Sequence, residues 1–152
     1  MPDAWPVAAA LRAAARLSKV VEMALDEVGL SLPQYRLTML LADGSSVATA
    51  LAERLTVSRP SITALVDGLV ERGFVDRRPD VRDRRCVTHW LTTAGRGALE
   101  RGDAAIRDRL ATLVAHLPSR KHGPAVEGLA LWLEALDAAR VAQEETRQPA
   151  SG

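Results

Sequence analysis

Five arginines, Arg77, Arg78, Arg82, Arg84 and Arg85, stand against two aspartates, Asp80 and Asp83, within nine residues. That is a local charge of +3 in a chain whose formal net charge is only +1. Guanidinium groups at this density suit phosphate, because each is planar, permanently charged and able to donate paired hydrogen bonds to an oxyanion. A second polar cluster lies upstream in Ser58, Arg59, Pro60, Ser61, Thr63 and Ala64. Ser58 is a good helix N-cap, and Pro60 is tolerated in a first turn, where its missing N–H costs nothing. The free N–H groups and dipole at such an end favour an anion. Arg59 is the residue there with the reach and geometry to contact guanine O6 and N7 together, whereas Ala64 offers only an apolar contact.

The elements that must position these groups read as mainly helical. Leu11, Ala14, Ala15, Val21, Leu25 and Val28 recur at steps of three and four, which predicts a first helix over 5–28 stopped by Gly29. Ser31 caps a second helix with Pro33 in its first turn, and the DGSS of 43–46 breaks it. A short third helix over 47–55 and a tight link at Thr56 and Val57 lead into the helix begun by Ser58, a helix-turn-helix arrangement. In that fourth helix Ile62, Leu65, Val66 and Leu69 share the buried face, and Gly73 ends it. Two strands follow, over 74–78 and 84–91, forming a β-hairpin wing with Pro79 and Asp80 in its turn. A fifth helix begins at Thr92 or Thr93 and runs to Leu117 before Pro118, with Gly102 marking a close helix approach or a bend. A sixth covers about 124–144, with Leu129, Trp132, Leu133 and Leu136 on one stripe.

Strand alternation sets Val87, His89 and Leu91 on one side and Cys86, Thr88 and Trp90 on the other. The same parity turns Arg85 inward, which makes it the expected partner of Asp67, an acidic residue otherwise out of place on a phosphate-facing helix. Arg82 and Arg84 are then free to enter a minor groove, where narrow A·T-rich sequence concentrates negative potential.

Composition limits the remaining possibilities. At 152 residues and 47% apolar content the chain can build a real core, and 3% aromatic content suits close-packed helices built from Leu, Val and Ala. Eighteen of the 20 basic residues are arginine, so arginine content alone does not indicate nucleic acid. The single cysteine, Cys86, precludes an internal disulfide and a Cys-rich zinc site; it reads as a structural thiol in a reducing cytoplasm. Asp3 and Arg12 argue against a secretion signal, and no apolar run is long enough to span a membrane. No Gly-rich phosphate loop, metal cluster or nucleophile beside a base is present in the sequence, so neither an enzyme nor a cofactor is expected. His89 reads as a satisfied, partly buried histidine, and Trp5 and Trp132 as core or interface residues.

The order helix, helix, helix-turn-helix, wing, helix, helix resembles the MarR family of bacterial transcription regulators. The resemblance rests on LPQYRLTMLL, LAERLTVSRPSITALVDGLVERGFV, DVRDRR at the wing turn and LTTAG at the entry to the fifth helix. It implies one domain over 1–152. Within it, 31–92 form the winged helix-turn-helix lobe, 5–28 and 93–145 the dimerisation helices, and 146–152 a disordered tail. It further implies a homodimer on an approximately palindromic double-stranded operator, usually as a repressor. A small aromatic or amphipathic effector would sit in a crevice near Leu11, Ala15 and Tyr35. The chain departs from the family pattern at Ala50, at Ala64 and at His89. Two alternatives remain open, a winged-helix module that binds protein and a DNA-binding regulator with no ligand response. Steep salt dependence and a footprint on a palindrome discriminate the first alternative, because counterion release scales with phosphate contacts.

Overall fold

The computed structural model describes residues 7–147, and its contacts divide the chain into two compact units, Met1–Arg109 and Leu110–Gly152. The elements are α1 (Val7–Glu27), α2 (Leu32–Ala42), β1 (Ser46–Val47), α3 (Ala48–Leu55), α4 (Arg59–Glu71), β2 (Val75–Pro79), β3 (Val87–Leu91), α5 (Thr93–Val114), a 3-10 turn (Ser119–Lys121) and α6 (His122–Arg147). No described helix is long and apolar enough to cross a membrane. The expected Trp5 and residues 148–152 of the expected tail lie outside the described residues. Thr146 and Arg147, assigned to that tail, instead belong to α6, and the Thr146 hydroxyl donates to the Ala142 carbonyl at 2.8 Å.

In the first unit, α2, α3 and α4 enclose a core of Leu37, Leu41, Leu51, Ile62, Val66 and Leu69, closed by Val75 and Leu91 from the sheet. Burying each large aliphatic side chain contributes on the order of 1.5–3 kcal/mol, so this cluster is what holds the lobe together. Leu65, expected with the buried face of α4, is half-buried at its edge. A second cluster joins Leu25 and Leu30 to Ala98, with Tyr35 and Ile106 packed against it.

Local chemistry sets the element ends. Ser31 and Gln34 form a reciprocal capping box at α2: the Gln34 N–H donates to Ser31 Oγ at 3.3 Å and the Ser31 N–H to Gln34 Oε1 at 3.1 Å. Thr56 ends α3 in the left-handed region at φ 55°, turning the chain so that the N-cap of α4, Ser58, follows two residues later. Thr92 caps α5. Its Oγ accepts from the Gly95 N–H at 3.0 Å and donates to the Gly73 carbonyl at 2.7 Å, tying the helix to the turn after α4.

Other boundaries also differ from expectation. The sheet has three antiparallel strands in the order β1-β3-β2, because Ser46 and Val47, placed by sequence in a loop and a helix, pair with His89 and Thr88. Two residues carry no readable alternation, so β1 depends on β3 for its existence. The second hairpin strand starts at Val87, not at 84, since Asp80 and Asp83 bind backbone N–H groups and hold 80–86 in turns. The fifth helix ends at Val114, because the N–H groups of His116 and Leu117 bond three residues back and tighten the chain before Pro118.

Candidate nucleic-acid interface

The N-terminal end of α4 is built as its sequence suggested. Ser58 Oγ accepts from the Ser61 N–H at 3.3 Å, and the two serine hydroxyls bond each other at 2.8 Å. Ser58, Arg59, Pro60, Ser61, Thr63 and Ala64 are all exposed. The Thr63 hydroxyl donates to the Arg59 carbonyl at 3.0 Å, which leaves its oxygen free to accept and turns the residue into an acceptor and methyl surface. The six residues therefore form one exposed end of a helix whose opposite face is anchored by Ile62, Val66 and Leu69.

The wing tip is ordered by its aspartates. Asp80 Oδ1 accepts from the N–H of Arg82 at 2.7 Å and of Asp83 at 3.2 Å, while Asp83 Oδ1 accepts from the Arg85 N–H at 2.9 Å. The two N–H groups hold the Asp80 carboxyl below the usual carboxylate range. With these carboxylate oxygens bonded to backbone, the aspartates fix the shape of the tip and form no side-chain ion pair with its arginines among the described residues. The side chains of Arg82, Arg84 and Arg85 are exposed and have no ion-pair partner among the described residues. The Cys86 thiol is exposed and donates to Asp83 Oδ2 at 3.7 Å, and the Asp83 charge pushes its pKa up.

The expected Asp67–Arg85 pair is corrected by the structure: Asp67 of α4 is bridged by Arg77 of β2. Arg77 lies directly across from His89, on the same side of the sheet as Val75 and Leu91, and that side faces α4. Arg85 precedes β3, where alternation no longer governs side-chain direction. Applying the same parity to β2, with Val75 inward, would have found Arg77. Arg78, on the other face, is held by Asp76 at 3.0 Å and lies 5.6 Å over the Trp90 ring. Trp90 Nε1 donates to Thr88 Oγ at 3.1 Å.

His89 is buried, and its Nδ1 donates to the Ser46 carbonyl at 3.1 Å, joining β1 to the wing. Burial lowers its pKa from the usual 6.5, Arg77 adds to that effect, and the Ser46 carbonyl partly offsets it. Because the folded pKa lies below the unfolded one, the unfolded chain binds the proton first. Stability is therefore complete above about pH 6.5 and is lost as pH falls from there through the folded value. Urea midpoints at pH 7.5 and 5.5 should show a larger acid loss for the wild-type chain than for His89→Gln; equal losses would exclude His89 as the cause.

The residues assigned to an effector crevice are not brought together within the chain. Tyr35 is half-buried against Leu25 and Gly102, and its hydroxyl donates to Asp103 Oδ1 at 2.6 Å. Burial first, and then Asp103, push the Tyr35 pKa well above its usual value, so it stays a neutral donor. Leu11 and Ala15 are exposed on the N-terminal half of α1, with Ala15 about 15 Å along the helix from Leu25. A contact between them and Tyr35 therefore has no basis within one chain. No group of three or more His, Cys, Asp or Glu among the described residues is placed to hold a metal ion.

Comparison with known proteins agrees with this geometry. The MarR family profile matches residues 30–87. The HTH-type transcriptional repressor YetL of Bacillus subtilis is 38% identical over 88 residues, covering 56% of this chain and 53% of YetL, so the match spans about half of that relative's length. The uncharacterised HTH-type transcriptional regulator YfiV of Bacillus subtilis is 32% identical over 144 residues, 91% of this chain and 86% of YfiV. The structure of the transcriptional repressor CouR bound to a 23-mer DNA duplex superposes with a TM-score of 0.67 at 25% identity, covering 86% of this chain and 92% of CouR. With the helix-turn-helix, the sheet and the flanking helices all in place, and with that similarity running through nearly the whole sequence, the chain belongs to the MarR family of winged helix-turn-helix transcription regulators.

Proposed function

We propose that the chain is a homodimeric, sequence-specific DNA-binding regulator that represses transcription from a pseudo-palindromic operator. The observation that carries this reading is the pairing of an exposed, capped helix end, bearing Ser58, Arg59, Pro60, Ser61, Thr63 and Ala64, with a wing tip whose arginines, Arg82, Arg84 and Arg85, have no ion-pair partner among the described residues. A helix of this kind reads base edges in the major groove, and the wing supplies the cations that track the adjacent backbone and minor groove. Dimerisation is supported by α6, where Leu129, Leu131, Trp132, Leu133 and Leu136 are 45–66% exposed, and by Leu11 on α1 at 66%. Large apolar side chains left exposed along a helix call for a partner, and a second copy sets two recognition helices about one DNA turn, roughly 34 Å, apart. Repression agrees with the description of YetL.

In this reading an effector would act at Tyr35. A small aromatic or amphipathic molecule entering beside it competes for the Tyr35–Asp103 hydrogen bond, which joins α2 of the DNA-binding lobe to α5. The test is selection from a randomised duplex pool with the full chain, followed by footprinting, salt titration and sedimentation. The expected result is a protected palindrome, a dimer mass and affinity falling steeply with salt. Failure to enrich any sequence, with binding indifferent to salt, would exclude the function and favour a protein-binding module.

A further inference from the structure

We propose that Val81 is a base-selecting contact of the wing, an apolar side chain presented to the floor of the minor groove that admits A·T pairs and excludes the amino group of guanine. The inference rests on the DNA-binding reading above and names a determinant of its specificity. Val81 is 99% exposed, more than any other large apolar residue among those described. Isolated apolar residues are ordinary on protein surfaces. What distinguishes this one is the backbone that carries it. Asp80 on one side is bonded through its carboxylate to the N–H groups of Arg82 and Asp83, at 2.7 and 3.2 Å, and its own N–H donates to the Cys86 carbonyl at 2.8 Å. The Cys86 N–H donates in turn to the Asp83 carbonyl at 2.9 Å. Val81 is thus held out from a closed ring of hydrogen bonds, with the residues on both sides tied down.

Its neighbour Arg82 has an exposed guanidinium with no ion-pair partner among the described residues. Adjacent Cα atoms are about 3.8 Å apart, so a tip that brings Arg82 into a groove brings Val81 to the same base pairs. The chemistry there is selective. An A·T pair shows the acceptors N3 and O2, which Arg82 can satisfy, and G·C adds the N2 amino donor of guanine. The Arg82 side chain has donors only, the Val81 side chain has no polar atom, and Asp80 Oδ1 already accepts two backbone N–H groups. A guanine amino group lying against the Val81 methyls is therefore crowded and gains no acceptor from that side chain, a costly arrangement once water is excluded.

The experiment compares the full wild-type chain with Val81→Asn, whose amide oxygen adds an acceptor at that position; at a fully exposed position the substitution leaves the fold intact. Both proteins are used to select duplexes from a randomised pool. In the duplex chosen by wild type, the adenines at the wing positions are then replaced by 2,6-diaminopurine, which adds the minor-groove amino group and keeps the major-groove edge of adenine. Wild type is expected to lose at least about fivefold in affinity, the effect of one disfavoured pair, and Val81→Asn less than about twofold. Equal losses in the two proteins, no loss in wild type, or no A·T preference at the wing positions would each overturn the role of Val81. Absence of any enriched sequence would instead overturn the DNA-binding reading itself.

Discussion

Gly95→Ala is expected to destabilise the chain by roughly 3 kcal/mol or more, the upper range for forcing volume into a packed site, and to lower its melting temperature by about 10 °C. A Cβ at Gly95 would sit 2.1 Å from the Phe74 carbonyl oxygen and 2.6 Å from Leu91 Cδ1. The oxygen is backbone and already accepts from the Thr92 N–H at 3.0 Å, so it has no rotamer through which to retreat. Relief requires the first turn of α5 to move away from the base of the wing, which also breaks the Thr92 cap. Gly97, two residues on in the same helix, is the internal control. A Cβ there would meet only the Arg101 guanidinium at 3.5 Å, the mobile end of a long side chain. Gly97→Ala should therefore be neutral or stabilise by up to about 1 kcal/mol, the helical advantage of alanine over glycine. Urea denaturation of the two variants beside wild type decides it, and matching curves for Gly95→Ala and wild type would refute the close packing.

The double substitution Arg82→Ala/Arg84→Ala is expected to weaken binding to the selected duplex at least about tenfold at moderate salt while leaving the urea midpoint unchanged. It should also flatten the plot of log affinity against log salt by about two per subunit, if each guanidinium neutralises one phosphate. The reasoning is geometric: both side chains are exposed, neither touches a carboxylate, and the backbone beneath them is fixed by Asp80 and Asp83. Arg77 behaves differently because it is engaged with Asp67. That bridge is largely exposed and contributes little to stability, of order 0–1 kcal/mol. In the proposed DNA-binding role its value would lie in masking the Asp67 carboxylate from phosphate. An unchanged salt slope in the double variant would place the wing away from the DNA backbone.

How much of this was readable in advance differs element by element. Ser31 and Ser58 declared their helices because a cap acts over three residues, and the Ile62, Val66 and Leu69 face follows from a 3.6-residue period. Both are local, so sequence carried them, along with the exposed helix end and the arginine-rich tip. Four things were decided only by tertiary structure. The strand at Ser46 and Val47 exists because His89 and Thr88 lie beside it, and its own two residues hold no pattern. Asp67 met Arg77 and not Arg85, since the choice depends on which strand face packs on α4. Gly95 looks like any glycine in a helix until Phe74 and Leu91 are brought against it. Tyr35 found Asp103, 68 residues away, while Leu11 and Ala15 stayed exposed elsewhere on α1. Periodicity and capping are properties of a few consecutive residues and can be read from them; which side chains meet across the fold is a property of packing, and only the assembled core determines it.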